Sequence, residues 1–206
     1  MNNEELKAKQ TQYIKLLNDI AHEKKLSDSA ISMLTQIMKV ESYGQKGDPA
    51  KAKNPESTAT GLFQFTKGTW KRFGAGDITD PEAQIRAAID FALYNQTKML
   101  AAGIKPDTAD FYKAHFAGAE SENSGAILAI KSAWDPSKVN EPLSTIFSKE
   151  VMEANKKVSL KLKNGDVLPF KKFTIGDFNN WASVKMGEKP KYDTTTSNKG
   201  DIVEAI

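Results

Sequence analysis

The chain contains no cysteine among its 206 residues. That excludes a disulfide framework and a thiolate metal site. Histidine is nearly as scarce. Only His22 and His115 occur, too far apart for a ligand motif, so a zinc centre would have to rest on carboxylates. Long apolar runs are missing too: no stretch approaches the roughly 18 apolar residues of a membrane span, and stable membrane insertion is not expected. Nor does one sign of charge dominate. With 29 basic and 26 acidic residues, the formal charge is +3. This lends weak support to a polyanionic partner. Without a basic stripe studded with aromatics it argues against nucleic acid. The N-terminus, Met1-Asn2-Asn3-Glu4-Glu5, is polar and acidic, unlike an export signal. The expectation is a protein made in a cytoplasm, needing some other route if it acts outside.

What is present reads as helix. Hydrophobic content is 39%, and the length suffices for one sizeable core or a core with an appendage. Leu6, Tyr13, Leu16, Leu17 and Ile20 recur at helical spacing. Ser27 or Asp28 then caps a second helix whose Ala30, Leu34, Ile37, Met38 and Glu41 fall near one face. Residues 43–60 are polar and carry turn signals at Gly47-Asp48-Pro49 and Asn54-Pro55. Loops of such length in compact domains are often functional. Phe63, Phe65, Trp70 and Phe73 make a dense aromatic patch. Asp80-Pro81-Glu82 opens a helix that Gly103 ends. Helices are further predicted at about 107–118 (with Phe111, Tyr112 and His115), at 124–133, at 142–151 and at 174–186. Val158, Leu160 and Leu162 alternate before Asn164-Gly165, a hairpin signal. The fold class is mainly α, with one small β-hairpin at most. Residues 1–26 read as an N-terminal helix, 27–187 as the main domain and 188–206 as a polar tail with almost nothing to bury.

The most informative residue is Glu41, one turn beyond Ile37 and Met38 at a helix C-terminus. Partial burial and the negative end of a helix both raise a carboxyl pKa. A carboxylic acid so placed suits proton donation to a leaving group, which glycosidic cleavage requires. The commoner fate of a single Glu at a helix end is plain solvation. Gly61 permits close backbone approach. Gln64 brings a donor and an acceptor suited to an N-acetyl group or a hydroxyl. Phe63, Phe65, Trp70 and Tyr94 are expected mostly in the core, with one or two available to line a saccharide groove. Tyr112 and His115 stand three apart on one helical face. Glycosidases commonly pair two carboxylates, and Asp48 and Glu56 are the candidates for the second.

Two stretches carry a resemblance: Ile37-Met38-Lys39-Val40-Glu41-Ser42, and Ser57-Thr58-Ala59-Thr60-Gly61-Leu62-Phe63-Gln64-Phe65 followed by Thr69-Trp70. Together they resemble the soluble lytic transglycosylases of the lysozyme-like superfamily, in particular bacteriophage members. The family's glutamate–serine pair falls on Glu41 and Ser42, and its glycine, leucine, aromatic, glutamine signature on Gly61, Leu62, Phe63 and Gln64. Its Tyr-Asn-Ala-Gly segment falls on His115-Phe116-Ala117-Gly118, preceded by Tyr112. That departure leaves open whether Tyr112 or His115 takes the usual tyrosine's role. Stretches near Asn140–Pro142 and Thr174–Trp181 look like the C-terminal half of such phage enzymes.

The resemblance implies a helical domain whose cleft binds strands of alternating N-acetylglucosamine and N-acetylmuramic acid. Glu41 would be its acid and base, with Ser42, Gly61, Leu62, Phe63, Gln64, Tyr94, Tyr112 and His115 around the substrate. It implies no metal or organic cofactor, a peptidoglycan partner and a monomer. The product would be a 1,6-anhydromuramic end. A hydrolytic muramidase using water, or a virion or wall-binding structural protein with this fold, are the alternatives. The compact size leans toward an endolysin held in the host cytoplasm until a holin releases it, with carriage in the virion as the other route.

Overall fold

Eight helices and three strands make up the computed structural model, which describes residues 1–55 and 57–206. In chain order the helices are α1 (Asn3–Glu23), α2 (Asp28–Ser42), α3 (Lys67–Phe73), α4 (Pro81–Ala101), α5 (Thr108–Ala117), α6 (Gly125–Ala133), α7 (Lys149–Ala154) and α8 (Ile175–Lys185). The strands are β1 (Ser159–Leu162), β2 (Val167–Pro169) and β3 (Ile202–Ala205). Short polar side chains set the helix starts. Ser27, not Asp28, caps α2 by accepting from the Ala30 amide. Asp80 accepts from Ala83 ahead of the Pro81 start of α4. Asn2, Asp107 and Thr174 each form a reciprocal capping box. Each cap satisfies otherwise orphaned amides, at about 1 kcal/mol apiece. Among the described residues no helix is long and apolar enough to cross a membrane.

The chain divides into two compact units, Met1–Leu93 and Tyr94–Ile206. In the first, α1 packs on α2, burying Tyr13, Leu17 and Ile20 together with Leu34, Ile37 and Met38. The second focus of this unit is aromatic: Phe65 meets Phe63, Trp70 and Phe91 at ring separations of 6.0, 6.0 and 6.2 Å, and Phe73 meets Phe91 at 4.9 Å. Such pairs add about 0.5–1.5 kcal/mol each beyond their buried area. This patch was expected from the sequence; the short helix α3 inside it was not.

In the second unit α5, α6 and α8 pack on one another. Phe116 lies edge-on to Trp181 at 4.9 Å and Phe147 to Phe178 at 5.2 Å. One lysine is buried among them. Lys113 pairs with Asp110 at 2.6 Å and donates to Asn179 Oδ1 at 2.6 Å, tying α5 to α8. Burial pulls its ammonium below the ordinary lysine range, with Asp110 opposing that shift.

The expected hairpin forms: β1 and β2 are antiparallel, with Leu160 opposite Leu168, and Gly165 at φ +91° turns the chain. It belongs, however, to a three-stranded sheet of order β2-β1-β3. The third strand comes from residues 188–206, expected as a tail. Apart from Ile202, which is buried, hydrogen bonds hold much of that segment, which is why its composition misled. Asp177, fully buried, accepts from the Thr174 amide and hydroxyl at 2.8 Å each, from Thr194 Oγ1 at 2.8 Å, from Ser197 Oγ at 2.5 Å and from Thr196 Oγ1. Asn180 adds bonds to Lys191 and Tyr192. The helix expected over 142–151 is also corrected. Leu143–Thr145 is a single 3-10 turn and α7 starts anew at its Ser148 cap.

Candidate active site

Glu41 occupies the last turn of α2, half-buried. Among the described residues no ion pair or side-chain hydrogen bond engages its carboxylate; only its backbone carbonyl is taken, by Gln45 Nε2 at 3.1 Å. Around it the helix end is firmly held. Ser42 is fully buried and its hydroxyl donates back to the Met38 carbonyl at 2.8 Å. Tyr43 donates to the Gln10 carbonyl of α1 at 2.8 Å, and burial pushes its phenol up to about 12. The Glu41 carboxylate thus sits on an anchored helix end with no partner among the described residues.

The polar segment after α2 is pinned at its near end by Asp48. Its Oδ1 accepts from the Tyr13 hydroxyl at 2.7 Å and from the Ala50 amide at 3.1 Å, where it caps the 3-10 turn Pro49–Lys51. Burial and this carboxylate together raise the Tyr13 phenol strongly. These contacts give Asp48 a structural task. Glu56, the other candidate second carboxylate, lies outside the described residues.

The segment ends in a tight turn. Thr60 and Phe65 exchange both backbone hydrogen bonds at 3.1 Å, so that Gly61, Leu62, Phe63 and Gln64 form the loop between them. Gly61 has φ +84°, and a Cβ there would lie 2.3 Å from Gln84 Nε2, so glycine is required on both counts. Gln64 adopts φ +47°, a left-handed conformation uncommon outside glycine and worth attention as stored strain. Its Nε2 holds the turn by donating to the Gly61 carbonyl at 2.9 Å and to the Ala52 carbonyl at 3.3 Å. Both amide protons are thus spent. Of the donor and acceptor expected for a substrate, the carbonyl oxygen is the one left. Leu62 and Phe63 are 0% and 1% exposed. Their side chains anchor the turn into the core and offer a ligand shape and backbone, not a stacking face.

Sequence reasoning missed Gln84. This α4 residue is fully buried beneath the turn. Its Oε1 accepts from the Leu62 amide at 2.7 Å, and its Nε2 donates to the carbonyls of Ala50 at 2.8 Å and Ile78 at 2.5 Å. One neutral amide therefore joins the Gly61 turn, the Asp48-capped turn and the start of α4. A polar residue one position before Ile85, on the apolar stripe of a helix, was the available signal.

Glu41, Ser42 and Gly61–Gln64 all belong to the first unit, whereas Tyr94, Tyr112 and His115 belong to the second. Tyr112 is buried against Trp181 at 5.3 Å and stacks on His115 at 6.5 Å. Tyr94 is half-buried, with Lys98 5.3 Å over its ring. Among the described residues no three His, Asp or Glu side chains converge as metal ligands would.

The model of one protein family, the transglycosylase SLT domain, matches residues 19–123. The chain belongs to that family. As an SLT domain protein it is a transglycosylase-type enzyme of the lysozyme-like superfamily, with peptidoglycan as the material it cleaves. The SLT match takes in both Glu41 and the Gly61–Gln64 turn, as well as Tyr112 and His115. No curated protein sequence matches the chain.

Proposed function

We propose that Glu41 is the acid and the base of a lytic transglycosylase that breaks the β-1,4 bond between N-acetylmuramic acid and N-acetylglucosamine. The protonated carboxyl gives its proton to the glycosidic oxygen as the bond to muramyl C1 breaks. The resulting carboxylate then takes the proton of the muramyl 6-hydroxyl as that oxygen attacks C1. The 1,6-anhydro ring closes, no water is consumed, and Glu41 regains its proton. The observation that carries this reading is the contrast between two carboxylates. Glu41 is half-buried with no partner for its carboxylate among the described residues, while Asp48 is occupied by Tyr13 and Ala50. Among the described residues, then, Asp48 is not open as a second carboxylate, which suits an internal nucleophile better than a two-carboxylate hydrolysis.

In this reading the Gln64 carbonyl oxygen accepts from an N-acetyl N–H or a hydroxyl, and Gln84 keeps the turn in place. The protein acts as a monomer on glycan strands, and its setting is a bacteriophage endolysin that stays in the host cytoplasm until a pore releases it. The His115-Phe116-Ala117-Gly118 register supports the phage assignment. Mass analysis of purified peptidoglycan digested by wild type and Glu41→Gln tests the chemistry. Anhydromuramic ends from wild type and none from the variant are expected. Reducing muramic ends would replace the internal nucleophile with water, and an equally active variant would remove Glu41 from the reaction.

A further inference from the structure

The second unit contains a cavity beyond the family-matched residues, and nothing in the cleavage reaction uses it. Its volume is about 380 Å³, within the roughly 300–1,000 Å³ of small-ligand sites. One wall is the turn after β1, with Lys163 and Asn164. The other is the segment 194–198 together with Asp201. This second wall is built firmly, since Thr194, Thr196 and Ser197 all donate to the buried Asp177 carboxylate.

Those three hydroxyls are consequently turned inward and spent. Asn164 is spent as well, on Asp166, to which it donates at 2.8 Å and from whose amide it accepts at 3.0 Å. The hydroxyl of Thr195 and two charged side chains are left for a ligand. Among the described residues no carboxylate pairs with the Lys163 ammonium. Asp201 meets one weak donor, Asn198 Nδ2 at 3.2 Å, on Oδ2 alone. The Lys163 amide donates to the Asp201 carbonyl at 2.8 Å, so backbone pairing fixes the two charged residues side by side. No aromatic residue lines the cavity, leaving no flat face on which a pyranose ring could stack.

We propose that this cavity binds a short zwitterionic peptide, with a ligand carboxylate on Lys163 and a ligand ammonium on Asp201. If the chain acts on peptidoglycan as proposed above, the stem peptide is the matching ligand, since it carries carboxylates beside a free side-chain amine. The site would then hold the wall by its peptides while the reaction proceeds on its sugars.

Calorimetric titration of the full chain with the tetrapeptide L-alanyl-γ-D-glutamyl-L-lysyl-D-alanine tests this. Saturable binding is expected, weakened about tenfold in Lys163→Met. Acetylating the peptide's ε-amine should weaken wild type by a similar factor, yet leave Asp201→Asn, whose carboxylate is already gone, unchanged. Circular dichroism melts of both variants confirm that they fold. Absence of saturable binding at millimolar peptide, indifference to Lys163→Met, or Lys163-dependent binding of chitotetraose in place of the peptide would each overturn the site. The Glu41→Gln digestion is read separately. Loss of peptide binding with an inactive Glu41 variant defeats this site alone, whereas an active Glu41 variant defeats the cleavage reading alone.

Discussion

Glu41 and Asp177 are both carboxylates on helices, and the two units treat them in opposite ways. In the second unit Asp177 is fully buried and saturated by five donors. In the first, Glu41 is half-buried and its carboxylate has no partner among the described residues. A saturated buried carboxylate is held in one geometry, and its value is structural. An unsaturated one keeps its oxygens open to a substrate, as a general acid's must be. The same division runs through the supports. The second unit fastens its helices with charge, through Lys113, Asp110 and Asp177. The first fastens its candidate turn with the neutral amide of Gln84, which places no fixed charge beneath the turn.

The sharpest way to break this comparison is to exchange the consequences of losing each carboxylate. Glu41→Gln should lower cleavage of purified peptidoglycan by about 10²–10⁴-fold and leave the thermal midpoint nearly unchanged. A large loss of stability instead would make Glu41 structural. Asp177→Ala should do the reverse, losing about 3 kcal/mol or more in denaturant unfolding because it strands buried donors. Below its melting temperature the folded enzyme should remain active. Gln84→Leu sits between them. It leaves the Leu62 amide and two carbonyls without partners, so about 2 kcal/mol of stability should go. Activity should fall about tenfold with folding intact, since the Gly61–Gln64 turn is no longer held.

The smallest effect is alkaline. Burial pushes Tyr43 up to about 12, from the ordinary 10.0, so the folded state retains a proton that the unfolded chain loses. The stability this confers is fully present below pH 10 and is lost as pH rises toward 12. Melting temperatures between pH 9 and pH 11.5 should fall less steeply in Tyr43→Phe than in wild type. Some slope should persist, because Tyr13 is raised as well. Identical slopes would mean that Tyr43 is not shielded as its contacts indicate.

Local chemistry made much of the fold legible. Ser27, one of two candidates in the sequence, and Asp80 ahead of Pro81 are caps in the structure, because capping depends on residues within three positions. The Asn164-Gly165 turn is equally local. Residues 188–206 were not legible, since Asp177 and Thr194 are 17 positions apart and nothing short-range announces that they meet. Gln84 and Leu62, 22 positions apart, were hidden for the same reason.

By itself, then, the sequence determined the helical class, the starts of the long helices α2 and α4 and the motif around Glu41 and Gly61–Gln64, all of which follow from spacing along one stretch of chain. Tertiary structure alone decided which polar groups are already spent. It occupied Asp48 with Tyr13, turned both Gln64 amide protons onto the backbone, saturated Asp177 and left the Glu41 carboxylate without a partner among the described residues. A side chain's chemistry is set by its type, but its availability is set by neighbours that only folding brings within hydrogen-bonding distance.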